Sequence, residues 1–220
     1  MIDTISADRI RHELELIFRE KSPEYTIKRL GELGVLQRIN SALKGDGWIA
    51  EKFDKARQLN KPSQLKSLYF CFLIYSLSEK ENEQFVHRLN PPAKLARTLR
   101  DTLRLKSQLS LLDKSSLKPS EIYYLLHEYD PLAIQANAIA TESSIVHFNL
   151  ELFLTKLRYV KTSLNGEELK GLGISAGPKM GKILQALHKA KLDGEVKTKA
   201  DEEKLALSLK PFNCHPDLRN

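Results

Sequence analysis

Gly177, Pro178, Lys179, Gly181 and Lys182 lie within six consecutive residues and combine the residue types that seat a phosphate. Pro suits the first turn of a helix, where its missing N–H has no intrahelical partner to lose. The neighbouring free N–H groups and the positive end of the helix dipole then face an anion. Gly177 and Gly181 carry no side chain, so a nucleic-acid backbone can approach closely, and Lys179 and Lys182 add formal charge. The pattern reads as a sequence-independent RNA or DNA backbone clamp. It also suits an ordinary helical hairpin whose glycines serve a C-cap and a helix crossing.

A second basic constellation follows Pro92. Lys94, Arg97, Arg100 and Arg104 are spaced three, three and four residues apart, which puts them on one helical face, with Lys106 following. Such a stripe can track phosphates. It is also what a solvated face looks like opposite Leu95, Leu99, Leu103 and Leu105, although only Asp101 lies nearby in sequence to offset it. Arg9, Arg11 and Arg19 decorate the first helix, where Glu13, Glu15 and Glu20 offset them in surface pairs worth little. Tyr123, Tyr124 and Tyr129 could stack on bases. The commoner use of such residues is to line a helix interface with the hydroxyl reaching water.

Catalytic patterns are missing. The six histidines are scattered, with no pair at an H-E-x-x-H spacing, and there is no nucleophile elbow, P-loop or dinucleotide fingerprint. Glu79, Glu81 and Glu83 sit together in a polar stretch that reads as a helix cap rather than a metal site.

The chain has 220 residues with 41% hydrophobic and 29% charged residues, as expected of a globular protein, and its net charge of +7 suits an RNA, DNA or acidic-membrane partner, although many basic proteins bind none of these. Cys71 lies in an apolar run and Cys214 beside His215, which gives neither a disulfide framework nor a zinc spacing. A cytoplasmic setting follows as the default. The first residues carry acids where a signal peptide would carry lysines, so no targeting segment is expected. The longest apolar run, Leu68–Tyr75, falls far below the ~20 residues that cross a bilayer.

Helical periodicity dominates. Ser6 caps a helix with Ile10, Leu14 and Ile17 on one face. Ser22-Pro23 opens a second, which turns Ile27, Leu30 and Gly31 inward and stops at Gly34. Gly45-Asp46-Gly47 breaks the chain before a helix near 48–59, and Pro62 opens the most apolar one, placing Leu68, Phe72 and Leu73 in the core. Further helices are expected near 79–89, from Lys94 to about Leu112, from Pro119 to near Tyr129, and over 131–140 and 144–159. From Leu164 a short helix, a glycine turn and a second helix lead into a lysine-rich helix running to about Asp201. The span Lys161–Lys199 holds eight lysines, no arginine and four acids. Residues 211–216 read as extended. The expectation is an all-α protein, a multi-helix body over 1–160 followed by a small basic helical tail over 161–220.

Two segments resemble one family. Ser6-Ala-Asp-Arg-Ile-Arg-His-Glu-Leu and Ile27-Lys-Arg-Leu-Gly-Glu-Leu-Gly-Val-Leu resemble the end of the neck and start of the body in bacterial class II tRNA nucleotidyltransferases, the CCA-adding enzymes and their poly(A) polymerase relatives. Asn165-Gly-x-x-Leu169, Gly173, Gly177-Pro-x-x-Gly181-x-x-Leu184 and Asp193-Gly-Glu-Val are similar to that family's tail, and Pro119-Ser-Glu-Ile-Tyr-Tyr-Leu-Leu fits its helical body. The family's Asp-x-Asp metal pair and its Glu-Asp-x-x-Arg nucleotide-reading element do not occur in these residues, so no catalytic residue carries over. The resemblance implies a tRNA-binding body and tail, with the body along the acceptor arm and the tail at the far end of the elbow. It implies no cofactor in this chain, with Mg²⁺ and CTP or ATP belonging to a catalytic head domain or chain. A headless helical adaptor binding a protein partner is the alternative, and duplex-DNA binding through the tail a third.

Overall fold

A computed structural model of the chain describes residues 5–209. Among them are thirteen α-helices and no strand, so the fold is all-α. The chain divides into two compact units. The first comprises residues up to 116 together with 126–154, and the second comprises 117–125 and 155 onward. The sequence-based boundary near 160 takes no account of the excursion of 117–125 into the second unit.

In the first unit, α1 (Ala7–Ile17) begins at Ser6, whose side chain accepts from the Arg9 N–H. The helix α2 (Pro23–Glu32) starts on proline as expected, but Ser22 makes no capping hydrogen bond. Gly34, at φ +70°, ends it and opens the short α3 (Val35–Ile39), which sequence periodicity does not reveal. Gly31 is needed for a close approach: Gly45 passes so near that a Cβ on Gly31 would lie 3.1 Å from the Gly45 nitrogen. A Cβ on Gly45 would collide with the carbonyl of Ile27. The next helix, α4 (Gly47–Leu59), is capped by Asp46 and buries Ile49, Phe53 and Ala56. A bidentate pair, Arg57 to Glu24 at 2.7 and 2.8 Å, ties it to α2.

The core centres on α5 (Pro62–Leu73), where Leu68 through Leu73 are all buried, Cys71 included. Phe53 stacks on Tyr69 at 4.1 Å, and Phe18 meets Phe70 edge-on at 4.8 Å. Burying such a run on every side explains why it shows no polar face. The helix α6 (Glu79–Leu89) opens on a capping box between Ser78 and Glu81, so of the three acids Glu81 caps the helix and Glu79 sits in its first turn. Arg11 donates to the Leu89 carbonyl at 3.0 Å and to that of Asn90, closing the C-terminus of α6. That arginine is therefore more than the surface decoration its helix suggests. Its partners lie 78 and 79 residues away, out of reach of any local pattern.

The helix α7 (Ala93–Lys106) is shorter than expected: a 3₁₀ turn, Leu109–Leu112, replaces its last turn. Next in the chain, α8 (Pro119–Leu126) lies almost wholly in the second unit. The helices α9 (Pro131–Ala140) and α10 (Ser144–Thr155) return to the first. Buried Asn137 on α9 is fully engaged, donating to the carbonyls of Thr102 and Ala133 and accepting from the Tyr75 hydroxyl.

The second unit holds α11 (Gly166–Gly171), α12 (Pro178–Leu192) and α13 (Lys199–Ser208). Its core is Leu164, Leu169, Ile174, Met180, Ile183, Leu187 and Ala206. The expected lysine-rich helix does not run on to Asp201. It stops at Leu192, with Gly194 at φ +74° turning the chain and Thr198 capping a separate α13. Gly194 supplies the left-handed residue that such a turn needs. No helix among the described residues is long and apolar enough to cross a membrane. The expectations for Cys214, His215 and 211–216 lie outside the described residues.

Candidate nucleic-acid interface

The two basic constellations fall in different units, the stripe on α7 in the first and the Gly177–Lys182 stretch in the second.

On α7, Leu95, Leu99, Leu103 and Leu105 are buried, while Lys94, Arg97, Arg100 and Arg104 face solvent together. Sequence spacing identifies this face, but not its partners. Arg100 makes a bidentate pair with Glu83 of α6, at 2.7 and 2.8 Å. The guanidinium holds the Glu83 carboxyl below its usual range. Asp101 is buried and serves two arginines: Arg104 at 3.1 Å and Arg97 at 3.6 Å. It also accepts from the backbone N–H of Asp130 at 2.9 Å. Two guanidinium groups thus share one carboxylate, and one positive charge is left over. Each guanidinium also carries five N–H donors, more than Asp101 can take. Arg104 lies over the ring of Tyr129 at 4.6 Å, which fixes the side chain in place. Tyr129 itself is buried and donates to Gln108, so it lines an interface and is closed to base stacking. Lys94 has no carboxylate partner among the described residues.

At the start of α12, Gly177 adopts φ +139° and ψ −173°, a region essentially closed to residues with a Cβ. No side chain caps this helix, and Pro178 occupies its first turn. The backbone geometry of an open, uncapped helix start is therefore present. Gly181 differs from Gly177. Its backbone is ordinary helix, and a Cβ placed on it would meet nothing within 4 Å. Neither turn geometry nor helix crossing asks for glycine there, although glycine in a helix costs roughly 0.5–1 kcal/mol relative to alanine. Lys179 and Lys182 are exposed and border a shallow cavity of about 260 Å³ with Ile183, Ala186 and Leu209.

Several lysines of the tail are otherwise engaged. Lys191 reaches the fully buried carboxylate of Glu202 at 2.6 Å, Lys199 pairs with Glu168 and Lys170 with Glu167. Glu202 also accepts from the backbone N–H groups of Ser163 and Leu164. Burial works to raise its pKa, yet these donors leave it lowered. Asp193 accepts from both the N–H and the hydroxyl of Ser120, joining α8 to the end of α12. Tyr123 meets His188 edge-on at 4.7 Å, and His188 contacts the Val160 carbonyl, so this tyrosine packs between helices as its commoner reading requires. Glu202 does not stand out in the sequence, and the Asp193-Gly-Glu-Val stretch does not reveal Ser120, 73 residues away, as the partner of Asp193.

No group of three His, Cys, Asp or Glu side chains that could hold a metal occurs among the described residues.

Residues 1–45 match a family described as the probable RNA and SrmB-binding site of polymerase A. Both segments that carry the N-terminal resemblance lie inside this match. Across 94% of its length the chain is 27% identical to the A-adding tRNA nucleotidyltransferase of Geobacter sulfurreducens, and it spans 25% of that protein. Its fold is that of part of a CCA-adding enzyme solved with CTP, with a TM-score of 0.70, 20% identity, and coverage of 94% of this chain and 51% of that one. The Thermotoga maritima CCA-adding enzyme complexed with tRNA-CCA gives a TM-score of 0.69 at 18% identity, with coverage of 94% and 52%. The chain thus spans a quarter of the curated relative and about half of the solved chains.

Proposed function

Related in sequence to an A-adding tRNA nucleotidyltransferase and in fold to CCA-adding enzymes, the chain is, we propose, a tRNA-gripping body and tail that holds RNA by its backbone and does not itself transfer nucleotides. The observation that carries the reading is the surplus charge on α7, where Arg97 and Arg104 share the single carboxylate of Asp101. Surplus cations on a fixed helical face suit phosphates, which dominate affinity for nucleic acid and carry no sequence information. The uncapped start of α12 supports a second phosphate contact, with Gly181 leaving room for a strand to come close.

The test is a gel shift of tRNA by the purified chain at two salt concentrations, with unlabelled duplex DNA as competitor. The chain should retard tRNA, less so at the higher salt, and duplex DNA should compete poorly. An unshifted tRNA would instead favour an adaptor for a protein partner. The same preparation, given tRNA lacking its 3′ end, labelled CTP or ATP and Mg²⁺, should incorporate no label.

A further inference from the structure

Between α6 and α7 lies a groove of about 460 Å³. That volume falls in the range of small-molecule pockets. Asn82 forms part of its wall and is 1% exposed, and its side-chain Oδ1 is buried without a hydrogen-bond partner among the described residues. A buried amide oxygen left unpaired destabilises the fold, and such groups in native proteins are met by ordered water, an ion or a ligand. Charge narrows what that is. Lys80, Arg97, Arg100 and Arg104 line the groove against Glu79, Glu83 and Asp101, leaving one positive charge in excess. Glu83 neutralises Arg100 through a bidentate pair, whereas Arg97, which also donates to the Glu128 carbonyl at 3.0 Å, and Arg104 share the one carboxylate of Asp101 and keep N–H donors to spare.

The occupant must therefore bring an anionic oxygen group for the arginines and an N–H or O–H donor for Asn82. Inorganic phosphate offers only the P–OH of its own protonated form as a donor, and a polyamine lacks the anion. A nucleotide has both: a phosphate, and ribose hydroxyls or base amino groups. We propose that the groove between α6 and α7 binds a single nucleotide, its phosphate on Arg97 and Arg104 and an amino or hydroxyl group donating to Asn82 Oδ1. The nucleotide is either free or an unpaired residue of bound RNA. In the second form the proposal rests on the RNA reading above.

The full chain is titrated with AMP, CMP, GMP and UMP by calorimetry, and separately with an RNA duplex with and without one bulged nucleotide. Binding of a monophosphate identifies the free source, and preference for the bulged duplex identifies the RNA source. Either result supports the groove if Asn82→Leu weakens it by about tenfold, as for one hydrogen bond in a desolvated site. The melting temperature of Asn82→Leu should be unchanged or higher, because the variant removes an unpaired group without breaking a bond. A lower melting temperature would assign Asn82 to the fold and overturn the proposal. Arg97→Gln, at a mostly exposed side chain, is the second variant and should also weaken binding. The absence of both binding modes, or binding that either variant leaves unchanged, overturns the proposal as well. The two readings fail separately. Shifted tRNA without any groove ligand leaves RNA gripping in place, and a bound monophosphate with unshifted tRNA leaves the groove in place.

Discussion

Lys191 and Glu202 meet at 2.6 Å, with the carboxylate fully buried and the ammonium only partly so. The carboxylate also takes the N–H groups of Ser163 and Leu164, so one side chain secures α13, the end of α12 and the entry to the tail core. Removing it strands the Ser163 and Leu164 N–H groups and leaves Lys191 only the Ser163 hydroxyl. Glu202→Ala should therefore cost about 3–5 kcal/mol, as for breaking a buried ion pair. Hydrogen exchange at the Ser163 and Leu164 amides reads this directly, and those amides should lose protection. The pH dependence follows from the lowered pKa of Glu202. A carboxyl that ionises more readily when folded stabilises the fold above its ordinary value of 4.5 and loses that contribution as the pH falls. Melts of the parent chain should drop on acidification below that value, and Glu202→Ala should flatten the drop.

Phe72 is 1% exposed at the centre of the first unit, with Trp48 and Phe53 against its ring. Phe72→Ala should cost about 3–5 kcal/mol through lost burial and the cavity left behind. A urea titration checks it, and a loss under about 1 kcal/mol would be inconsistent with a packed ring.

Gly181 gives two effects of opposite sign. A methyl group fits the open space there, so Gly181→Ala should raise helix stability by roughly 0.5–1 kcal/mol. Gly181→Val should weaken tRNA binding, because the larger side chain fills the space a phosphate backbone would use. Thermal melts measured beside tRNA affinities separate the two effects. Parental tRNA affinity in a folded Gly181→Val would remove α12 from the interface.

Replacing Arg97, Arg100 and Arg104 together should lower affinity for different tRNAs to a similar extent. The log–log salt slope should flatten by roughly 0.7–0.9 for each phosphate that is no longer neutralised. Arg100 is held by Glu83, so Arg100→Gln alone should change the slope least. An unchanged slope in the triple variant would return the stripe to an ordinary solvated face.

The sequence is most legible where structure is local. Helix starts at Ser6, Pro23, Pro62 and Pro131, and the stop at Gly34, all follow from cap and proline chemistry within a few residues, whereas the cap at Asp46 is hidden in what reads as a chain break. The basic face of α7 is legible for the same reason, since spacing alone aligns Arg97, Arg100 and Arg104. What spacing does not reveal is how far each charge is already answered. Glu83 lies 17 residues from Arg100, and Asp193 lies 73 from Ser120. Nor does it distinguish Gly177, which the backbone requires, from Gly181, which it does not. The break at Gly194 is hidden because lysines flank it on both sides and carry the basic pattern across it.

The interleaving of the two units in the chain bears on synthesis. Residues 117–125 leave the ribosome before α9 and α10, but they belong with residues made after 155. The Ser120 N–H and hydroxyl find their acceptor only when Asp193 emerges, 73 residues later. The first unit can be completed as soon as residue 154 is available, whereas α8 must wait, exposed, for the tail. A nascent chain arrested between 155 and 193 would then hold a finished body and an orphaned helix, the stage at which chaperone binding and proteolysis would find most to act on.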